Sequence, residues 1–287
     1  MAVLNSLFSI FPKMSKVKAY VDFFCGGCSV AFEVARRNPD CEIYISDLNP
    51  YVVNTLKIIK NNPDELIEEL QHVEELDSEE YFAKMKKRQP INPEGVGDAV
   101  WFMYIINRSF NSLFRLNSHG KFNVSYNNRN NSRIVSPERI GGLYKLMTNF
   151  HIMPAGSFSR VARQVESIKT VKTELQIGPS EIFVYFDPPY VPVSQTSDFV
   201  DYNPDGFGLA DQQKLSNVML NLAQLGCLVA QSNSNADWVL NNYSDNFHIR
   251  YLEKYRLNAA SAAARKKVLE VVITNYEPAQ RLISSFL

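Results

Sequence analysis

The chain has 287 residues, 45% of them hydrophobic, which is enough for one large domain with an insertion or for two domains. Lysine plus arginine and aspartate plus glutamate number 30 each, so nucleic-acid binding would require a local basic patch. No run of about 18 apolar residues occurs, which excludes a membrane-spanning helix. The apolar start, Met1 to Phe11, has no positive charge before it, so it is predicted to be a core element and not a signal peptide.

The four cysteines do not form a disulfide framework, which indicates a reducing, cytoplasmic location. Cys25 and Cys28 form a C-x-x-C pair, a spacing that also occurs in redox centres and zinc sites. No nearby His or Cys spacing would complete a zinc site, and a redox pair needs a thioredoxin-like context. The pair is therefore interpreted as two small side chains in a tight glycine turn, and no metal is expected.

The first sixty residues alternate between strands and helices. The pattern predicts a strand over 19–24, a helix over 29–37, a strand over 41–45 and a helix over 50–59. The first strand ends at the turn Cys25-Gly26-Gly27, where glycine lets the backbone approach a ligand closely. The second strand ends at Asp47, where an acid either accepts hydrogen bonds from ribose hydroxyls or caps the next helix. The turn and the acid together suggest a cofactor that contains adenosine.

The middle of the chain carries the local charge that the whole chain lacks. Residues 64–90 run from acidic to basic, which favours helices with a solvated face, and a further helix is predicted from Gly97. Between Asn107 and Phe150 seven basic residues face one acid, Glu138, a balance of +6 that suits phosphate binding. The basic residues are Arg108, Arg115, Lys121, Arg129, Arg133, Arg139 and Lys145. The interleaved aromatics Phe110, Phe114, Phe122 and Tyr126 leave a second interpretation open, a hairpin with aromatics in the core and charges in solvent.

The α/β pattern resumes after this basic stretch. Strands are predicted over 150–153, 182–186 and 227–231, a helix over 211–225, and a closing strand pair over 247–256 and 268–276. The third of these strands is followed by Ser232-Asn233-Ser234.

Residues 184–190, Val-Tyr-Phe-Asp-Pro-Pro-Tyr, end a strand with a stiff turn, because proline has no N–H and a fixed φ. A carboxylate, a carbonyl and an aromatic ring are then presented together. The carboxylate and the carbonyl can each accept one N–H of an aromatic amine, which favours a pyramidal nitrogen whose lone pair points at an electrophilic methyl group. Tyr190 would stack on the base that carries this amine. In a duplex such a base cannot be reached, so it must be flipped out. The alternative is an ordinary turn at the end of a strand.

From about Phe11 to Tyr276 the chain resembles DNA adenine N6-methyltransferases of the Dam type. The resemblance rests on Val21–Gly27, Asp47–Asn49, Asp187–Tyr190 and Arg108–Asn117 with Gly120–Val124. It implies an α/β fold, a Rossmann-like S-adenosylmethionine-dependent methyltransferase sheet of about seven strands with the last reversed. It also implies a catalytic domain over residues 1–60 and 149–287 and an inserted target-recognition domain over 61–148, with a DNA-recognition hairpin near 107–135.

The resemblance implies transfer of methyl from S-adenosyl-L-methionine to the N6 of a flipped-out adenine in double-stranded DNA. The expected location is the cytoplasm of a bacterium or phage-infected cell. No long heptads or obvious exposed apolar stripe argue for a dimer, so a monomer is expected. Restriction-modification, regulation within a bacterium and protection of a phage genome stay open as roles. The catalytic residues would be Asp187, Pro188 and Tyr190, and the cofactor-binding residues would be Phe24, Cys25, Gly26, Asp47, Leu48, Ser157, Phe158 and Asp187. The DNA-binding residues would be Phe110, Asn111, Arg115, Asn117, Lys121, Asn123 and Ser125. By resemblance Arg115 reads a guanine, Phe110 and Asn111 enter the DNA beside the flipped base, and Phe158 contacts the cofactor adenine.

Three departures from the family pattern accompany the resemblance. Family members usually begin with an aromatic-x-Gly-Gly-Lys or Gly-Asn-Lys motif, whereas Ser6-Leu7-Phe8 aligns with the helix that follows it. The expectation is either a truncated start or a weakened or different cofactor contact. Ser125 stands where GATC-specific relatives carry proline, and Ser157 stands where many relatives carry aspartate. The missing motif leaves open a catalytically impaired DNA-binding remnant. An N4-cytosine DNA methyltransferase is a second alternative, because the same amine chemistry serves cytosine.

Overall fold

The computed structural model describes residues 2–127, 133–134, 136–156, 171, 173–193, 207–255 and 267–278. The chain divides into two compact units, the first formed by Met1–Ile45 with Ser157–Leu287 and the second by Ser46–Gly156. The boundaries predicted from the sequence concern which residues recognise DNA. A division of the chain into compact units does not show which residues recognise DNA, so the predicted domain boundaries stay a prediction. Within the described ranges no helix is both long and apolar enough to cross a membrane.

Seven strands of the described chain form one sheet in the order β3-β2-β1-β4-β5-β7-β6. The strands are β1 Ala19–Asp22, β2 Glu42–Ile45, β3 Phe150–Ile152, β4 Ile182–Phe186, β5 Leu228–Ser234, β6 His248–Tyr255 and β7 Lys267–Thr274. Strand β1 is parallel to β2 and β4, and β4 is parallel to β5, whereas β7 is antiparallel to both β5 and β6. The predicted Rossmann-like α/β sheet with a reversed last strand is confirmed.

The helices follow the predicted alternation. They are α1 Ala2–Ile10, α2 Ser29–Arg37, α3 Pro50–Asn61, α4 Pro63–Glu75, α5 Glu79–Lys87, α6 Gly95–Arg108, α7 Pro137–Leu146, α8 Leu209–Gln224 and α9 Asp237–Tyr243. Helix α2 and strand β4 have the predicted bounds. Strand β5 is longer than predicted, because Ser232, Asn233 and Ser234 pair with β7 and do not form the turn that their composition suggests.

The first unit is built around β4, whose five residues are all buried. The ring centroid of Phe11 lies 4.8 Å from that of Phe183 and 5.0 Å from that of Tyr185, both on β4. Leu7, Phe8 and Ile10 of the preceding α1 are buried as well. The prediction that the apolar start is a core element is therefore confirmed.

The second unit is helical apart from β3 and the hairpin described below. Tyr51 on α3 packs against Trp101 and Phe102 on α6, with ring centroids 5.2 and 5.6 Å apart. The indole N–H of Trp101 donates to the Met85 carbonyl at 2.7 Å, which satisfies the polar atom of this buried ring. Helix α5 has acids in its first turn and lysines in its last, as the helix dipole favours, so the predicted charged helices are present.

Candidate active site

The turn after β1 is fixed by hydrogen bonds to Asp22 and leaves space beside Gly26 among the described residues. The buried Asp22 carboxylate accepts a hydrogen bond from the Phe24 N–H at 3.0 Å and another from the Tyr20 hydroxyl at 3.0 Å. Gly26 has a φ of 46°, and a Cβ at that position would meet no atom of the described residues within 4 Å. A ligand could therefore approach the Gly26 backbone closely, as the sequence suggests.

The C-x-x-C pair belongs to this turn. Both thiols are buried, and the Cys28 N–H donates to the Cys25 carbonyl at 2.6 Å. Cys28 has a φ of 56° and stands immediately before α2. These contacts agree with the interpretation of the pair as small packing residues in a tight turn.

The acid after β2 does not cap the next helix. The Asn49 side chain accepts the Tyr51 N–H at 3.0 Å and so caps α3. Asp47 accepts the Asn49 N–H at 2.8 Å, which bends the chain between strand and helix. The helix-cap interpretation of Asp47 is thus wrong. Its ribose contact and that of Leu48, whose side chain is 58% exposed, stay predictions.

The four residues of the turn after β4 differ in their exposure to solvent. Asp187 is exposed, Pro188 is buried, and Pro189 and Tyr190 are half-buried. The Gln212 amide Nε2 donates to the Pro189 carbonyl at 2.7 Å. No described residue donates to the Pro188 carbonyl, so of the two proline carbonyls this one has acceptor capacity for a ligand.

Tyr190 presents a neutral ring beside two carboxylates. Its hydroxyl lies 3.5 Å from Glu270 Oε2 on β7. Burial raises the pKa of Tyr190 well above its ordinary value of 10, and the negative charges of Asp187 and Glu270 raise it further. The phenol therefore stays protonated at neutral pH and offers an uncharged face for stacking.

Residues 108–127 of the second unit form an irregular antiparallel hairpin. Isolated bridges join Ser109 to Tyr126 and Leu116 to Phe122. Asn117 Oδ1 accepts the N–H groups of His119 and Lys121, each at 3.0 Å, which closes the loop where Gly120 has a φ of 70°. A hairpin is thus present over these residues, and its role in DNA recognition stays a prediction. Of its predicted range, 128–132 and 135 lie outside the described residues.

The hairpin exposes all seven residues predicted to bind DNA. Arg115 Nε donates to Asn123 Oδ1 across the hairpin at 2.9 Å. Phe110 is 55% exposed, whereas Phe122 is buried and Phe114 packs 5.1 Å from Phe102. The interpretation of the aromatics as core therefore holds for Phe114 and Phe122 but not for Phe110. The exposed DNA-binding candidates are Phe110, Asn111, Arg115, Asn117, Lys121, Asn123 and Ser125.

Arg108 is not part of an exposed basic surface. Its side chain is 4% exposed, and its Nε lies 2.5 Å from Asp77 Oδ2, so one of the seven charges is neutralised inside the unit. The Arg108 carbonyl accepts the Asn127 N–H at 2.8 Å, which ties the buried ion pair to the hairpin. Arg115, Lys121, Arg133, Arg139 and Lys145 are exposed, and Arg129 lies outside the described residues.

Two groups of supporting residues were missed from the sequence. Gln89 accepts the Phe122 N–H at 2.8 Å and donates to the Gly120 carbonyl at 3.0 Å, which holds the hairpin loop. Gln212 and Asn233 hold the turn after β4. Gln212 has a sequence signal, a polar amide at a buried position of α8 beside Leu215 and Met219, whereas Gln89 and Asn233 lie in polar runs that give none. The predicted cofactor residues Ser157 and Phe158 lie outside the described residues.

The strand order, the reversed β7 and the Asp-Pro-Pro-Tyr turn after β4 define a Rossmann-like methyltransferase. A family model for D12 class N6 adenine-specific DNA methyltransferases matches residues 1–257. The chain therefore belongs to this family and is an adenine-specific DNA methyltransferase. No comparison favours the remnant or the cytosine alternative.

Relatives named as methyltransferases agree with this assignment. The chain is 32% identical to the type II methyltransferase M1.LlaDCHI of Lactococcus lactis subsp. cremoris, over 91% of this chain and 87% of the relative. It is 29% identical to the type II methyltransferase M.MjaIII of Methanocaldococcus jannaschii, over 96% and 95%. A DNA adenine methylase of Vibrio cholerae serotype O1 is 26% identical over 90% and 87%.

Proposed function

We propose that the turn Asp187–Tyr190 holds a flipped-out adenine of double-stranded DNA for methylation by S-adenosylmethionine. The observation that carries this proposal is the difference between the two proline carbonyls. The Pro189 carbonyl accepts a hydrogen bond from Gln212, whereas no described residue donates to the Pro188 carbonyl. The exposed Asp187 carboxylate and the Pro188 carbonyl can each accept one N–H of the N6 amine.

These two acceptors would change the amine electronically. The nitrogen lone pair of adenine is delocalised into the ring, so the free amine is a poor nucleophile. Two acceptors placed out of the ring plane stabilise a pyramidal nitrogen and the positive charge that it develops during transfer. The Asp187 carboxylate would supply negative charge, and the Pro188 carbonyl would fix the direction of one amine N–H. Since no covalent enzyme intermediate is required, the buried cysteines have no chemical part.

The residues after β1 fit a methyl donor with an adenosine group. S-adenosylmethionine would supply an electrophilic methyl group on a sulfonium sulfur. The backbone at Gly26 is open, and Asp22 fixes the Phe24 N–H, so the turn is pre-formed for a ligand. Phe24 and Cys25 would line it. Asp47 and Leu48 of the second unit stay predicted contacts to the donor ribose.

The hairpin of the second unit would bind the DNA. The Arg115 Nε–H donates to Asn123, which directs the guanidinium. Among the described residues neither terminal nitrogen has a partner, so both could donate to an acceptor pair such as guanine O6 and N7. Phe110 and Asn111 would enter the duplex beside the flipped base. Lys121 would contact phosphate, and Asn117, which closes the loop, would keep it in place.

Tyr190→Phe is expected to keep turnover within a few-fold of wild type, because the phenol is protonated and its ring supplies the stacking. Tyr190→Ala should raise the barrier by about 1–3 kcal/mol, since one base–aromatic stack is lost. Single-turnover rates measured from pH 6 to 9 check both. Equal losses in the two variants, or an alkaline limb that Tyr190→Phe removes, would contradict the stacking role.

Arg115→Ala is expected to relax specificity at one guanine by about 1–3 kcal/mol, and Arg115→Lys should not restore it, because an ammonium lacks the fork. The matched control is Lys121→Ala, which should weaken methylation of all sequences alike. The measurement is sequencing of methylated products from a random duplex library. An unchanged base preference in Arg115→Ala would show that this side chain does not read a base.

Calorimetry with S-adenosylmethionine tests the donor directly. Micromolar binding, roughly −8 kcal/mol, is expected for the wild-type chain. Gly26→Val should weaken it, because a branched residue is strained at positive φ and fills the open space at the turn. Binding of duplex DNA without detectable binding of this donor would contradict the proposed cofactor.

A further inference from the structure

Three buried polar side chains lie beneath the catalytic turn, and we refer to Gln212, Asn233 and Ser234 as the turn clamp. Gln212 is 2% exposed, Asn233 is 0% exposed and Ser234 is 7% exposed. Gln212 shares the buried face of α8 with Leu215 and Met219, where an apolar side chain would be expected. Because buried amides are costly unless they are hydrogen-bonded, their partners indicate what they do.

The clamp binds the backbone of the turn at three points. Gln212 Nε2 donates to the Pro189 carbonyl at 2.7 Å, and the Val191 N–H donates to Asn233 Oδ1 at 3.1 Å. The Ser234 hydroxyl donates to the Val191 carbonyl. Asn233 Nδ2 donates to Gln212 Oε1 at 3.2 Å, which joins helix α8 to strand β5 through the clamp.

Hydrogen-bond chemistry fixes the orientation of both amides. Asn233 Oδ1 accepts two backbone N–H groups, those of Val191 and Ser234, so its Nδ2 must point to Gln212. Gln212 then receives this N–H on Oε1 and turns Nε2 toward Pro189, whose carbonyl can only accept. The clamp therefore has one consistent arrangement, and it holds the peptide units on both sides of Tyr190.

We propose that Gln212 and Asn233 are positioning residues for methyl transfer. They fix the rotation of the backbone after Pro188, so that the Pro189 carbonyl turns inward and the Pro188 carbonyl stays available for the target amine. This inference rests on the proposed role of Asp187 and Pro188. It adds that catalysis depends on two amides that touch neither base nor donor.

Gln212→Met tests the clamp, since methionine has a similar volume and forms neither hydrogen bond. The turnover number is expected to fall about 10- to 100-fold, because small misplacement of a reacting group has effects of that size. Dissociation constants for DNA and S-adenosylmethionine should stay within twofold. Gln213→Met is the matched control, because Gln213 is the next residue on α8 and is exposed. Wild-type turnover in Gln212→Met would overturn the proposal.

Gln212→Glu supplies a signature that loss of packing would not produce. As a carboxylate it places an oxygen against the Pro189 carbonyl, whereas the protonated acid can donate to that carbonyl and still accept from Asn233. Burial raises the pKa of such a group, so turnover relative to wild type should recover as the pH falls. Asp187 and Glu270 are the carboxylates beside the turn and are the same in both proteins, so taking the ratio removes the pH effects that the two proteins share. If the turnover of Gln212→Glu relative to wild type does not change with pH, or equals that of Gln213→Glu, the proposed role of the clamp is contradicted.

The same assay separates failure of the clamp from failure of the proposed chemistry. Asp187→Asn with wild-type turnover would refute the role of the turn, whatever Gln212 does. A large loss in Asp187→Asn together with none in Gln212→Met would refute the clamp alone. Losses in both, with acid recovery only in Gln212→Glu, are the expected result.

Discussion

Asp187→Asn is expected to lower the turnover number by about 10²–10³-fold, the effect of removing one preorganised electrostatic group from a site of this kind. Asparagine has the size of aspartate, so the loss reports on charge and not on packing. The change removes the negative charge that stabilises the developing positive charge on the amine. It also brings an N–H donor toward a group that donates. Because Asp187 is exposed, the fold should remain intact.

Rapid-quench single-turnover methylation at saturating DNA and S-adenosylmethionine measures this effect. Asp40→Asn is the control, since Asp40 is an exposed aspartate in a loop of the same unit. The control should methylate at the wild-type rate. A turnover number for Asp187→Asn within threefold of wild type would exclude this carboxylate from the chemistry.

Arg108→Met is expected to destabilise the second unit by roughly 3 kcal/mol, because it leaves Asp77 without its partner in a mostly buried ion pair. The Asp77 carboxylate also accepts the Tyr104 hydroxyl at 2.9 Å, so the remaining charge stays fixed beside α6. Since the Arg108 carbonyl anchors one end of the hairpin, DNA binding should fall together with stability.

Urea unfolding followed by tryptophan fluorescence measures the loss. Trp101 lies in the second unit and Trp238 in the first, so a Trp238→Phe background reports on the second unit alone. Arg139→Met removes an exposed positive charge from the same unit and should change stability by less than about 0.5 kcal/mol. Equal midpoints for the two variants would show that the buried ion pair does not stabilise this unit.

Short-range chemistry made the centre of the site predictable. An apolar run that ends in two prolines must leave a sheet, whatever surrounds it, so the bounds of β4 and the turn at Asp187 follow from local sequence alone. The same holds for α2 after its glycine turn. The hairpin could be placed from its polar and glycine residues, although its sequence does not divide the aromatics between core and surface.

Long-range partners decided what the sequence did not predict. The Ser232-Asn233-Ser234 run has the composition of a loop, but pairing with β7 continues it as strand. Gln212 meets the turn 23 residues away, and Arg108 meets Asp77 31 residues away. Contacts between residues so far apart in the chain produce no periodic pattern in the sequence. Arg108 was therefore counted with the exposed charges, although it is buried.

Incubation of the wild-type chain with methyl-labelled S-adenosylmethionine and mixed-sequence duplex DNA, followed by digestion to nucleosides, tests the central claim most directly. The label is expected in N6-methyladenine, and Asp187→Asn should lose it in proportion to its rate. Label in N4-methylcytosine, or no label transferred from this donor, would contradict the assignment of chemistry to the Asp187–Tyr190 turn.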